Sequence, residues 1–151
     1  MVILTGICNN IVPLRSEISI ITMEIRFDGN KKVNALIDGF TVKTDQPLQS
    51  GGEETAPSPF ALFLASLGTC AGIYARGFCD QRGINTEGMW LSMDHEYDPV
   101  QKLIAKFMIK IHVPADFPEQ YESALIKTAS LCKVKRHLNP SIVNEITIIR
   151  Q

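Results

Sequence analysis

The feature that most constrains this chain is the run "FALFLASLGTCAGIYA", residues 60–75, which carries no charge. Ser58 ahead of it is a good helix N-cap, and Pro59 suits the first helical position. The pattern predicts a helix from there to about Arg82, ending before Gly83. The uncharged part falls short of the ~20 residues that span a bilayer comfortably. A helix that is apolar all round must be covered all round. Ala65, Gly68, Thr69 and Gly72 lie three or four apart and would let another helix approach closely. Two covers fit: a second copy of the chain, giving a homodimer with this helix at its centre, or the chain's own sheet and second helix.

The flanking segments supply a sheet. In "ITMEIRF", Ile21, Met23, Ile25 and Phe27 share one face, with Thr22, Glu24 and Arg26 on the other. Asp28-Gly29-Asn30 and Asp38-Gly39 are turn signals, so residues 21–45 read as an antiparallel three-stranded meander. "QPLQSGGEETAPS" is a loop by composition. Beyond the helix, "GMWLSMDHEYD" and "KLIAKFMIKIHVP" alternate and read as a hairpin. Asp116 can cap a second helix over "FPEQYESALIKTASLCKVKRHL", with Tyr121, Leu125, Thr128 and Cys132 on one stripe. "NEITIIR" is a final strand. The order βββ-α-ββ-α-β predicts an α+β fold with a mainly antiparallel sheet.

A length of 151 residues predicts one domain, and a net charge of −1 gives no reason to expect nucleic acid or a membrane surface as partner. Residues 1–22 lack a basic n-region and a clean cleavage site, so they make a poor signal peptide. They read as an N-terminal extension, a strand or a disordered arm, or as an artefact of start-codon choice. The domain proper is residues 23–151.

The cysteines are Cys8, Cys70, Cys79 and Cys132, with no C-x-x-C pair. They read as thiols in a reducing cytoplasm. Cys70 lies about three turns into the first helix, beyond reach of the helix dipole. Burial alone would raise its pKa and leave it inert, which is the ordinary fate of a helical cysteine. Cys132, however, sits on the stripe that would face the first helix. Cys79 is nine residues past Cys70 and about 180° round the helix. Cys70 and Cys132 are therefore the pair most able to meet. Two such thiols suit peroxide reduction: one attacks and becomes a sulfenic acid, and the other condenses with it to a disulfide.

"SPFALFLASLGTC" and "SLCKVKRHL", with "DGFTVKTDQP" and the glycine pair before the helix, resemble the OsmC/Ohr family over roughly residues 23–151. The resemblance implies an OsmC-like fold in an intertwined homodimer, with long central helices back to back and two sites at the interface. It implies a peroxidatic Cys70 and a resolving Cys132, acting on organic hydroperoxides. It also implies a dihydrolipoamide-type dithiol as reductant, and neither a metal nor a bound organic cofactor. Stress-response and antioxidant roles go with it.

The chain departs from the family where its peroxidases carry a Glu, ten residues before the reactive Cys; here stands Phe60. Arg26, Lys31, Lys32 and, less well placed, Arg76 are the candidate cations for the thiolate. The basic group Lys133, Lys135, Arg136 and His137 suits a helix C-terminus, or an anion or partner patch near Cys132. Phe60, Phe63 and Tyr74 could line an apolar pocket beside Cys70. His95 and His112 read as surface, and Trp90 as core or interface. Two functions follow: a cysteine peroxidase, or a non-catalytic dimer that binds a small apolar ligand or senses redox state.

Overall fold

The computed structural model describes residues 22–151. The proposed extension, save Thr22, and Cys8 lie outside the described residues. The first strands are β1 (Glu24–Phe27), β2 (Val33–Ile37) and β3 (Phe40–Val42). They form an antiparallel sheet in the order β1-β2-β3, the meander that the alternation predicts. Its turns need positive φ, met at Asn30, Asp38, Gly29 and Gly39. The only buried residue in these strands is Asn34, while Ile25, Phe27 and Phe40 are exposed. Phe27 is 87% exposed, so among the described residues this sheet has no apolar core of its own.

A tight loop joins it to the long helix. The fully buried Asp45 carboxylate accepts from the backbone N–H of Gln46 (2.8 Å), Glu53 (3.2 Å) and Thr55 (3.1 Å). It also accepts from the Thr55 hydroxyl at 2.8 Å. These donors favour the charged form and outweigh burial, holding its pKa at about 2. Gly52 closes the loop: a Cβ there would lie 1.8 Å from the Gln46 carbonyl oxygen, so no side chain fits.

Helix α1 spans Pro59–Asp80, with the Ser58 hydroxyl accepting from the Ala61 N–H at 3.2 Å. Its 22 residues are long and apolar enough by composition to cross a membrane, more than the uncharged run alone would give. One face of α1 enters the core, with Leu67, Ala71, Ala75, Phe78 and Cys79 buried, and the rest is exposed or half-buried. Strands β4 (Trp90–Asp98) and β5 (Leu103–Val113) form the expected hairpin. Strand β6 (Val143–Arg150) pairs with β5 in parallel, which needs the helical crossover between them. The strands thus make two three-stranded sheets rather than one.

On β5, Phe107, Ile109, Ile111 and Val113 face the core, and alternate residues face outward. On the outward face His112 stacks on Trp90 at 3.7 Å and bonds the Ser92 hydroxyl at 2.9 Å. Trp90 is half exposed there, not a core residue.

The second helix is shorter than its sequence suggests. Helix α2 is Glu122–Ala129, entered by a 3-10 turn at Glu119–Tyr121, and Asp116 does not cap it. In its last turn Thr128 bonds the Ala124 carbonyl and Ser130 the Ile126 carbonyl, both at 2.8 Å. Leu125 and Ala129 are wholly buried against α1 and the sheet. Cys132 lies past the helix end, in a turn that leads to a 3-10 segment at Lys135–His137. His137 bonds the Lys133 carbonyl at 2.8 Å, within that turn rather than at the end of α2.

Candidate functional site

The turn after α2 brings Cys132 against the middle of α1. Cys132 is 2% exposed, and its Sγ points at the Leu67 carbonyl, 4.0 Å away. The Lys135 N–H donates to that sulfur at 3.5 Å. Cys70, one helical turn after Leu67, is half-buried, and the two thiols are near enough to influence each other's ionisation. Cys132 reaches this part of α1 from a turn rather than from the helical stripe expected.

The two thiols are electrostatically unequal. Burial pushes Cys70 up, its largest single influence. Hydrogen bonding from Cys132, the backbone N–H groups of Val134 and Lys133, and the Arg136 charge together outweigh it and hold Cys70 below the ordinary thiol range. Cys132 goes the other way. Burial, then the hydrogen bond and charge of Cys70, raise it, against the Lys135 and Val134 amides. Of the two, Cys70 is the one drawn towards losing its proton and Cys132 the one held back. Cys79 is buried in the core, and burial followed by the Asp80 charge pushes it up.

The cations singled out in the sequence are engaged elsewhere or stand apart. Arg26 pairs with Glu24 at 2.8 Å, Lys32 with Glu53 at 2.5 Å and Arg76 with Asp80 at 2.8 Å. Lys31 lies with its aliphatic stem beside Gly51. Glu53 also accepts from Asn30 at 3.1 Å. What sequence reasoning missed is the role of residues 133–136 at Cys70. The basic group was visible as a patch near Cys132; its backbone amides left no mark in side-chain identity.

Phe60 is 55% exposed and stacks on Phe63 at 5.8 Å, which meets the Phe107 ring edge-on at 6.3 Å. Tyr74 lines a separate groove with Ile73, Phe78 and Arg82. The three aromatics therefore do not form one pocket beside Cys70. The cavity next to Cys132, walled by Leu67, Ala71, Phe107 and Ala129, measures about 10 Å³, room for about one water.

A family model, OsmC-like protein, matches residues 51–147, the loop, both helices and most of the second sheet. The chain belongs to the OsmC-like family. Solved structures agree on the fold. An OsmC-like protein from Mycoplasma pneumoniae superposes with TM-score 0.68 at 15% identity, covering 90% of this chain and 99% of that one. An organic hydroperoxide resistance protein from Legionella pneumophila gives 0.59 at 18% identity, covering 87% and 98%. One from Elizabethkingia anophelis gives 0.65 at 14%, covering 91% and 100%. At such identities the likeness is one of fold. No sequence among curated proteins matches this OsmC-like chain.

Proposed function

We propose that this OsmC-like protein is a thiol peroxidase for organic hydroperoxides, working as a homodimer in a reducing cytoplasm. The observation that carries the reading is the placing of Cys132, buried against the Leu67 carbonyl one helical turn before Cys70, in surroundings that draw the Cys70 pKa down and push the Cys132 pKa up. The Cys70 thiolate attacks the terminal peroxide oxygen. The O–O bond breaks, the alkoxide leaves and takes a proton as the alcohol, and Cys70 becomes a sulfenic acid. Cys132 attacks that sulfur, forming the disulfide and releasing water. A dithiol of the dihydrolipoamide type then reduces the disulfide by exchange.

The dimer reading is supported by apolar surfaces that stand exposed among the described residues. Ile25, Phe27 and Phe40 on the first sheet and Ile73 on α1 are exposed. Gly68 has nothing within 4 Å of where a Cβ would sit, yet a helix-interior glycine costs about 0.5–1 kcal/mol relative to alanine. A close partner at that face accounts for it. A small hydroperoxide and a dithiol are the remaining partners.

One observation favours the second reading, a dimer that binds an apolar ligand or senses redox state: Phe60 stands exposed where family peroxidases hold a Glu. Against it, the influence of Cys132 and of the Val134 and Lys133 amides outweighs that of burial and lowers the Cys70 pKa. Turnover separates the two. Reduced protein with dihydrolipoamide should consume cumene hydroperoxide, and Cys70→Ser should not. No consumption by the wild-type protein would leave the second reading.

A further inference from the structure

We propose that the groove along the last turns of α1 binds a small amphipathic carboxylate, an alkyl or aryl acid, with its carboxylate on the Arg82 guanidinium. The site uses neither Cys70 nor Cys132, so it stands whichever reading of the thiols holds.

The groove is built where α1 ends. After Asp80 the chain turns, with the Arg82 and Ile84 N–H groups both donating to the Cys79 carbonyl at 3.0 Å. The turn lays the Arg82 side chain back over the last turn of the helix. Its guanidinium carbon stands 3.8 Å from the centre of the Phe78 ring and 5.9 Å from that of Tyr121. The two rings meet edge-on at 6.1 Å. Ring faces of this kind attract and hold a cation. The Arg82 Nη1 donates to the Phe78 carbonyl at 3.2 Å, the ordinary work of a cation at a helix C-terminus. A guanidinium has five N–H donors. Among the described residues the others have no partner, and the charge has no ion pair. Asp80, the acid nearest in sequence, is held by Arg76 at 2.8 Å.

Beside Arg82 lies a cavity of about 280 Å³, lined by Tyr74, Gly77, Phe78, Gln81, Arg82 and Thr128, with the exposed Ile73 at its rim. Small-molecule sites of ~300–1,000 Å³ likewise combine apolar walls with a few polar groups. Gly77 leaves the floor open. A glycine inside a helix costs stability, and a Cβ here would meet nothing within 4 Å, so packing within the chain does not call for it. Gly68 lies nine residues earlier, about 180° round the helix. The groove is therefore on the side of α1 away from the Gly68 face given to the second copy. From Tyr74 to Arg82 is about 12 Å of helix, enough for a medium alkyl chain. Apolar walls ending in an unpaired guanidinium fit an apolar body with a carboxylate head, which Arg takes through paired N–H donors.

The test is calorimetric titration of the full-length protein with sodium octanoate and with its neutral counterpart, 1-octanol. The wild-type protein should bind octanoate at least about threefold more tightly than octanol, and the preference should shrink with salt. Arg82→Met, which keeps a stem over Phe78, should weaken octanoate about three- to tenfold, the range for one partly exposed charge contact, and leave octanol unchanged. Gly77→Leu should remove binding of both, with unchanged far-UV circular dichroism and sedimentation. Gln81→Glu, an exposed change that sets a like charge beside the carboxylate, should weaken octanoate alone, and it serves if Gly77→Leu does not fold.

Octanoate bound no more tightly than octanol, or unaffected by both Arg82→Met and Gln81→Glu, overturns the proposal. So does octanoate binding that survives in a folded Gly77→Leu. A Gly77→Leu protein shifted from dimer to monomer also overturns it, since the groove would then belong to the second copy.

Discussion

Cys70, on α1, and Cys132, in the turn after α2, come from different elements and are driven in opposite directions: the surroundings lower the Cys70 pKa and raise that of Cys132. A thiolate is the nucleophilic form, so brief alkylation of the native protein at pH 7 should modify Cys70 well ahead of Cys132 and Cys79. Peptide-resolved mass spectrometry after an iodoacetamide pulse reads the order directly. Faster labelling at Cys79, which is buried and shifted up, would mean that the core is open.

Removing Cys132 should leave the first chemical step and abolish its rescue. In Cys132→Ser the sulfenic acid on Cys70 has no partner, and excess peroxide carries it to sulfinic and sulfonic acid. The mass of the Cys70 peptide after peroxide treatment should show this in the variant and not in the wild-type protein.

Asp45 makes stability pH-dependent in a known direction. Its folded pKa, about 2, lies below the ordinary 3.8. Its contribution is therefore fully present above pH 4 and is lost as pH falls towards 2. Asp45→Asn should lower Tm by a constant amount above pH 5, and the gap should narrow between pH 4 and 2. A gap independent of pH would mean that Asp45 does not anchor the loop as a carboxylate.

Gly68 separates the chain's own packing from that of the dimer. The space around it is open in the single chain, so Gly68→Leu should spare the fold yet block close approach of a second α1. Sedimentation should show the wild-type protein as a dimer and the variant shifted to monomer, with unchanged far-UV circular dichroism. A monomeric wild-type protein would refute the dimer.

Phe107 and Phe60 should differ sharply under truncation. Phe107 is 2% exposed and packs on Phe63, so Phe107→Ala should cost about 3–5 kcal/mol in urea unfolding. Phe60 is exposed in the single chain, and Phe60→Ala should stay within about 0.5 kcal/mol unless a partner covers it.

Periodicity made much of the fold legible. The meander, the hairpin and α1 follow from alternation, turn residues and the Ser58-Pro59 start. The second helix extends further in the sequence reading because "SLCKVKRHL" keeps helical spacing, whereas the helix ends at Ala129 and the chain turns. The division into two sheets is a matter of pairing, which no local pattern encodes. At the site, the cysteines were visible as residue types. The approach of the turn after α2 to the cysteines was not, because it depends on where α2 ends.

The most direct measurement is a single-turnover one. Fully reduced protein is mixed with one equivalent of an organic hydroperoxide, quenched with an alkylating reagent and mapped by mass spectrometry. The account predicts rapid formation of a Cys70–Cys132 disulfide, with Cys79 still alkylated as a thiol. Peroxide left unconsumed with both thiols intact would contradict it.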